Sequence, residues 1–320
     1  MPTATEARDA VVVETPRRRV DVTGADRLRY LEDVTSQALL DASPGTATAA
    51  LVLDAHGAPA AAFDVAVLAD RVALLCPDDE VGSYAVDVLG QRTFLLDARF
   101  TATDDVVVEV RGDGAHAVAD AANLHARPNT LRPAGSEVTV IGVVGGIDLV
   151  GPRGAVDEAV AALTAAGARP GTTEDREAWR VTAGVPAWGR EITSPHLPEE
   201  AGVLASHVHL SKGCYPGQEA VARMWMLGRP RRRLATLVPR GDATLAVGWR
   251  AGEGRKAAEV TSVTPDGRRA LGYVPAATGE GEVLTGADGV EVVVERVIGV
   301  EDAPPGHDPE VTRRRDRARG

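Results

Sequence analysis

The chain is poor in thiols, amines and aromatic rings. Cys76 and Cys214 are its only cysteines in 320 residues. Two thiols do not make a disulfide framework, and this usage fits a reducing compartment, the cytoplasm. Lys212 and Lys256 are the only lysines, so Arg supplies nearly every positive charge. Aromatics are 3% of residues, which leaves a core of Val, Leu and Ala. No apolar run approaches the ~20 residues that a membrane span needs. The amino-terminal stretch has no apolar signal-peptide core. A net charge of -11 argues against general nucleic-acid binding, which runs on counterion release by Lys and Arg. Hydrophobic residues make up 44%, enough for a globular protein of two or three small domains.

The scarce residue types gather in one window, 211–226, which reads Ser-Lys-Gly-Cys-Tyr-Pro-Gly-Gln-Glu-Ala-Val-Ala-Arg-Met-Trp-Met. It holds one of two cysteines, one of two lysines, and one each of the four tyrosines and four tryptophans. A Lys two residues before a Cys, in a chain that otherwise uses Arg, indicates a specific demand.

Around this window the sequence alternates strand and helix signals. Residues 1–17 are expected to be a flexible N-terminus. Arg19–Val22 reads as a strand. Thr23 follows as a helix cap, with Asp26 in the capping-box position. Strand patterns at 51–54 and 63–76 are joined by turns at His56-Gly57 and near Asp70. A helix stripe follows over 78–90, then a strand at 106–110 and a short helix at 115–122. Strands over 138–150 are broken at Gly145-Gly146. Helices follow at 155–166 and from a Thr173 cap to about Ala183. After residue 228, short strands at 232–238, 256–263, 268–274 and 290–297 fit a small antiparallel barrel. The expected organisation is a mixed α+β region over 18–228 in two subdomains, a C-terminal β-barrel over 229–300, and a disordered charged tail over 301–320.

Val203–Ser211 reads as a strand leading into the window. Pro216 suits the first position of a helix, with Glu219 in its first turn. Val221, Met224 and Trp225 form its apolar face, and Gly228 ends it. Cys214 then falls at the helix N-terminus. There the helix dipole and Lys212 would lower the thiol's pKa. Gly213 and Gly217 let the backbone bend or approach a ligand. Gln218 both donates and accepts, which suits the edge of a heterocycle. The alternative is a strand–turn–helix corner with Cys214 as a small buried residue. His207 and His209 would share one face of the strand, but their spacing matches no standard zinc pattern, and no tightly bound metal is expected. The basic run Arg229, Arg231–Arg233 reads either as a solvated face or as a grip for carboxylates or phosphates.

Lys212-Gly-Cys-Tyr-Pro-Gly-Gln-Glu219, followed by Ala222-Arg223-Met224, resembles the signature of the YgfZ family. These are folate-binding proteins related to the glycine-cleavage T-protein, an aminomethyltransferase. Arg180-Val-Thr-Ala-Gly-Val-Pro-Ala-Trp-Gly189, Leu197-Pro-Glu-Glu200, the segment from Val22 to Leu31 with Thr35-Ser-Gln, and Leu53-Asp-Ala-His-Gly57 resemble other family segments in the same order. The resemblance covers about 18–298. It implies subdomains in a cloverleaf around a central cavity, the last a small barrel, and tetrahydrofolate as the bound cofactor. It also implies a role in assembling or repairing iron–sulphur clusters and in cluster-dependent tRNA modification. Iron–sulphur enzymes or assembly proteins would be its partners, met by a monomer. Cys214 and Lys212 carry over as the catalytic pair. Gly213, Tyr215, Gly217, Gln218, Glu219, Arg223, Arg180 and Thr182 carry over as motif and folate-binding residues. Two positions depart from the aminomethyltransferases. Ala62 aligns where they place an acidic residue, with Asp64 nearby, and Thr182 aligns where they use a Glu to hold the pterin. Three readings follow: a folate-dependent accessory protein acting through Cys214, a one-carbon transferase, and a folate-sensing module without chemistry.

Overall fold

Runs of Val and Ile become strands through most of the chain, because β-branched side chains pack well on a pleated surface. The structure, a computed structural model, describes residues 9–135, 137–194, 196–227, 230–254, 257–300 and 303–310. The architecture is mixed α+β with several sheets. It divides into two units. One comprises Met1–Leu31, Leu39–Ala49 and Ala62–Trp179; the other comprises Glu32–Ala38, Ala50–Ala61 and Arg180–Gly320.

In the first unit a six-stranded sheet runs in the order Arg169–Pro170, Val11–Thr15, Val106–Arg111, Gly146–Gly151, Val138–Val143, Leu131–Ala134. Its pairs are antiparallel except the first, which is parallel. Helices Ala115–Ala121 and Arg153–Ala165 contribute Val118, Val156 and Leu163 to a core shared with Val110, Ile147 and Leu149. Strand Val11–Thr15 corrects the expected flexible N-terminus over its described part. Val11, Val12 and Val13 are buried, and the strand pairs along Val107–Arg111, the three valines opposite Arg111, Val110 and Glu109. Three consecutive valines are too apolar to be left in water.

A buried ionic network sits in this unit. Arg17 pairs with Asp64, Glu109 and Asp148, Arg111 with Glu109 and Asp148, and Arg176 with Glu109. Burial alone would raise the Glu109 carboxyl, but Arg111, Arg176 and Arg17 outweigh it and hold the group down at about 2.

A five-stranded sheet runs in the order Ala47–Leu53, Pro59–Val67, Val72–Cys76, Arg18–Thr23, Arg99–Ala102. The tip of its first hairpin, residues 50–61, belongs to the second unit. Strand Arg18–Thr23 leads to helix Arg27–Val34, and the expected Thr23 cap is displaced. Asp26 and Asp97 exchange side-chain and backbone bonds instead: the Asp26 carboxylate accepts from the Asp97 N–H, and the Asp97 carboxylate accepts from the Ala25 N–H. A similar shift occurs before helix Thr173–Ala183. There Thr172 and Asp175 form a reciprocal capping box one residue earlier than expected.

The second unit holds the barrel-like sheet. Its order is Arg250–Ala251, Ala258–Val263, Ala270–Pro275, Arg232–Pro239, Glu291–Val297, Val283–Thr285, antiparallel throughout. Leu237, Val260, Val274, Val292 and Val294 fill it. All four strands expected after residue 228 are present, with boundaries moved by up to two residues; Lys256 itself lies outside the described residues.

Below the barrel lies a clamp of buried polar groups. Glu191 and Arg180 are almost fully buried and paired at 3.0 Å. The Glu191 carboxylate also accepts from the hydroxyls of Thr261 and Ser262 and from the Ala187 N–H, at 2.6–3.0 Å. The Arg180 guanidinium donates to Ser262 and to the Val185 carbonyl. The Tyr273 hydroxyl donates to the Glu191 carbonyl.

Candidate functional site

The window 211–226 lies in the second unit, and its surroundings differ from the expected strand and helix. Leu204–His207 is a short helix, and residues 208–217 are irregular. The anticipated strand fails because these backbone groups find single acceptors instead of a sheet edge. The His209 N–H donates to the Ser36 carbonyl at 2.9 Å, and the Leu210 N–H to the Pro305 carbonyl at 2.8 Å. His207 and His209 therefore do not share a strand face. Among the described residues no group of three or more His, Cys, Asp or Glu is placed to hold a metal ion.

Helix Gln218–Leu227 follows, starting two residues after Pro216. Glu219 is in its first turn and pairs with Arg223, both exposed. Val221 and Trp225 are buried as expected; Gly228 and Arg229 lie outside the described residues. Gly217 turns the chain into the helix with φ of +80°. A β-carbon there would lie 2.5 Å from the Asp54 carbonyl oxygen and 3.1 Å from the Gly57 α-carbon. The window thus presses its backbone onto the 54–57 hairpin turn, and only glycine allows that approach.

Cys214 is exposed, so the buried-corner reading does not hold. It lies four residues before the helix. Lys212 is buried, with its ammonium engaged by other groups. The ammonium donates to the carbonyls of Glu32 and Thr35, and lies 4.9 Å from the centroid of the Tyr215 ring. Burial lowers the Lys212 amine from 10.5 to about 8, although Glu32 and Asp33 oppose the shift. Below about pH 8 folded and unfolded chains both hold this proton, and folding carries the full desolvation penalty. Between about 8 and 10.5 the folded chain sheds the proton while the unfolded chain keeps it. Stability contributed at this site therefore rises with pH across that window. Chemical denaturation at pH 7.5 and pH 10 should show a smaller gain for Lys212→Met than for the unchanged protein. Equal gains would sink the assignment.

Tyr215 is buried, its hydroxyl has no hydrogen-bond partner among the described residues, and burial pushes it up to about 12. Gly213 is exposed and Gln218 is half-buried. Arg180, expected at a folate, is committed to Glu191 within the clamp, and Thr182 is exposed on its helix. The structure brings Lys212 to Tyr215 and ties Gly217 to the hairpin turn. It leaves Cys214, Glu219 and Arg223 at the surface.

Three sets of residues were not identified as parts of the site by sequence reasoning. Thr35, Ser36 and Gln37 are buried beneath the loop. Ser36 Oγ donates to the His207 carbonyl at 2.6 Å and accepts from the Leu51 N–H at 2.9 Å. Asp54–Gly57 receive Gly217. The third set is 303–307, which was expected to be disordered. Pro304 is buried, Pro305 accepts from Leu210, and a β-carbon on Gly306 would overlap Ser211. A charged composition obscured this, because backbone groups and one proline make the attachment.

No family model matches the chain. A solved aminomethyltransferase T of the glycine cleavage system from Bartonella henselae superposes with a TM-score of 0.75, at 18% identity, covering 93% of this chain and 88% of that one. The fold is that of a glycine-cleavage aminomethyltransferase. An Arabidopsis thaliana protein named "Putative transferase At1g60990, chloroplastic" is 32% identical over 158 residues. That match covers 47% of this chain and 35% of the relative, so the chain spans about a third of the relative it matches.

On the aminomethyltransferase fold, the departure at position 62 can be located. Ala62 is buried within strand Pro59–Val67 and brings no carboxylate. Nearby Asp64 is taken by Arg17. Of the residues the resemblance names for folate, Arg180 is committed to Glu191, while the buried Tyr215 hydroxyl has no hydrogen-bond partner among the described residues and the half-buried Gln218 amide can both donate and accept. Among the described residues no helix is long and apolar enough to cross a membrane.

Proposed function

We propose that this protein binds a reduced folate and acts through the Cys214 thiol as an accessory factor for iron–sulphur enzymes, including those that modify tRNA. The observation that carries this reading is an exposed cysteine on a loop fastened on several sides. A free thiol at the surface of a chain with two cysteines is a liability unless it is used. Tyr215 and Gln218 would hold the polar edge of the folate. Gly213 and Gly217 shape the loop, and Glu219 with Arg223 forms the exposed rim that a partner protein meets. The folate, when bound, supplies a one-carbon carrier. Cys214 supplies the nucleophile, and Lys212 keeps the loop in place. A monomer in the reducing cytoplasm suits this role. The organisation that goes with it is a folate-binding region over 18–228 and a barrel over 229–300.

In a strain lacking the protein, the Cys214→Ser variant is expected to restore less than about a tenth of the iron–sulphur enzyme activity restored by the unchanged chain. Tetrahydrofolate affinity, measured by calorimetry, is expected to stay within about twofold, because the thiol is not a folate ligand in this reading. Full restoration would overturn the role of the thiol. Loss of folate binding in the unchanged protein would overturn the cofactor.

The aminomethyltransferase fold favours a second reading, one-carbon transfer from an aminomethyl donor. Buried Ala62, where a carboxylate is wanted, weighs against it. Folate-dependent turnover of such a donor by the Cys214→Ser variant would favour it over the first.

A further inference from the structure

A lysine two residues before a cysteine can serve in two ways. It can stabilise the thiolate, or it can hold the backbone that carries the thiol. The two roles need different geometry, since the first directs the ammonium at sulphur and the second directs it elsewhere.

The Lys212 ammonium is directed elsewhere. Helix Arg27–Val34 has no basic residue in its last turn. Its final carbonyls lack partners within the helix, as in any α-helix. Lys212 supplies the donor: Nζ bonds to the Glu32 carbonyl and, at 2.6 Å, to the Thr35 carbonyl just beyond the helix end. The Glu32 carboxylate lies 3.9 Å from Nζ, and the Tyr215 ring covers another side. The lysine side chain is fully buried while Cys214, two residues on, is exposed. A positive charge at a helix C-terminus is favourable, and it is stronger out of water.

Ser36 adds a second attachment. Its N–H and hydroxyl engage the carbonyl and N–H of Leu51, its hydroxyl donates to the His207 carbonyl, and its carbonyl accepts from the His209 N–H. Gln37 donates to the Ser206 carbonyl at 3.3 Å. Each partner is a backbone group of the segment leading to Cys214 or of the hairpin it rests on.

We propose that Lys212 and Ser36 are positioning residues for Cys214, fastening its loop to the segment Glu32–Gln37, and that Lys212 does not act on the thiol itself. This rests on the reading of Cys214 as the working group.

The test uses the full-length protein, Lys212→Met and Ser36→Ala. Hydrogen exchange is followed by mass spectrometry, and Cys214 alkylation by iodoacetamide is measured by site-resolved mass spectrometry from pH 6 to 10. In both variants exchange over 206–215 is expected to rise about tenfold or more, a local opening. Exchange in the barrel strands is expected to stay unchanged, which a general loss of stability would not allow. The pH at half-maximal alkylation is expected to stay within about 0.3 unit of the unchanged protein, well below the shift expected from losing a direct charge partner. A rise of a full unit or more in Lys212→Met would overturn the proposal, as would unchanged exchange over 206–215 in Ser36→Ala. Should Lys212→Met not fold, Ser36→Ala decides alone, because it keeps the lysine charge. Neither readout involves folate or an iron–sulphur enzyme. A failed rescue experiment with Cys214→Ser therefore leaves this result standing, and the reverse also holds.

Discussion

Glu191→Ala is expected to lower stability by about 3–5 kcal/mol, the cost of removing one partner of a buried ion pair. The carboxylate is fully buried and accepts four hydrogen bonds, from Arg180, Ala187, Thr261 and Ser262. Removing it strands the Arg180 charge, and two hydroxyls and one N–H lose an acceptor. Glu191→Gln keeps the shape and the hydroxyl partners but not the opposing charge, so it should still cost about 2 kcal/mol. Chemical denaturation measures both. A cost below about 1 kcal/mol for Glu191→Ala would mean that water replaces the carboxylate and that the clamp does not hold Arg180 to the barrel strands.

Gly217→Ala is expected to cost about 2–4 kcal/mol, combining a left-handed backbone with overpacking. At φ of +80° the new β-carbon would meet the Asp54 carbonyl oxygen at 2.5 Å and the Leu53 β-carbon at 2.9 Å. These atoms are backbone or lie close to it, so they cannot swing aside. Gly57 stands opposite, and a β-carbon there would lie 2.9 Å from that of Ala220. Gly57→Ala should therefore separate the same two surfaces, and the double variant should cost less than the sum of the singles. Strict additivity in denaturation experiments would show that the two glycines act independently.

The fold was legible where burial follows local pattern. The Val-rich runs after residue 231 placed their strands within about two residues, because a strand's period is written in its own sequence, whereas the runs at 51–54 and 63–76 marked strands that begin four residues earlier, at Ala47 and Pro59. The Cys214 window stood out in the sequence through its scarce residue types. Its geometry was not legible there. Lys212 and Glu32 are separated by 180 positions, so nothing near Lys212 shows that its ammonium ends on a helix C-terminus. The His-Val-His-Leu alternation suggested a strand, but Ser36 and Pro305 accept the N–H groups that a neighbouring strand would have taken. Arg180 fitted a family motif, yet the partner that fixes its role, Glu191, became apparent only when Ser262 and Thr261 closed around both.

The attachment of Pro305 and Gly306 beside Ser211 has a practical consequence for handling the protein. A bulky residue or a dye-bearing cysteine placed at Gly306 would push against Ser211 and the His209 ring. Such a change disturbs the segment that leads to Cys214, because Pro305 next to it holds the Leu210 N–H. Labels meant to leave Cys214 undisturbed therefore belong away from 303–307.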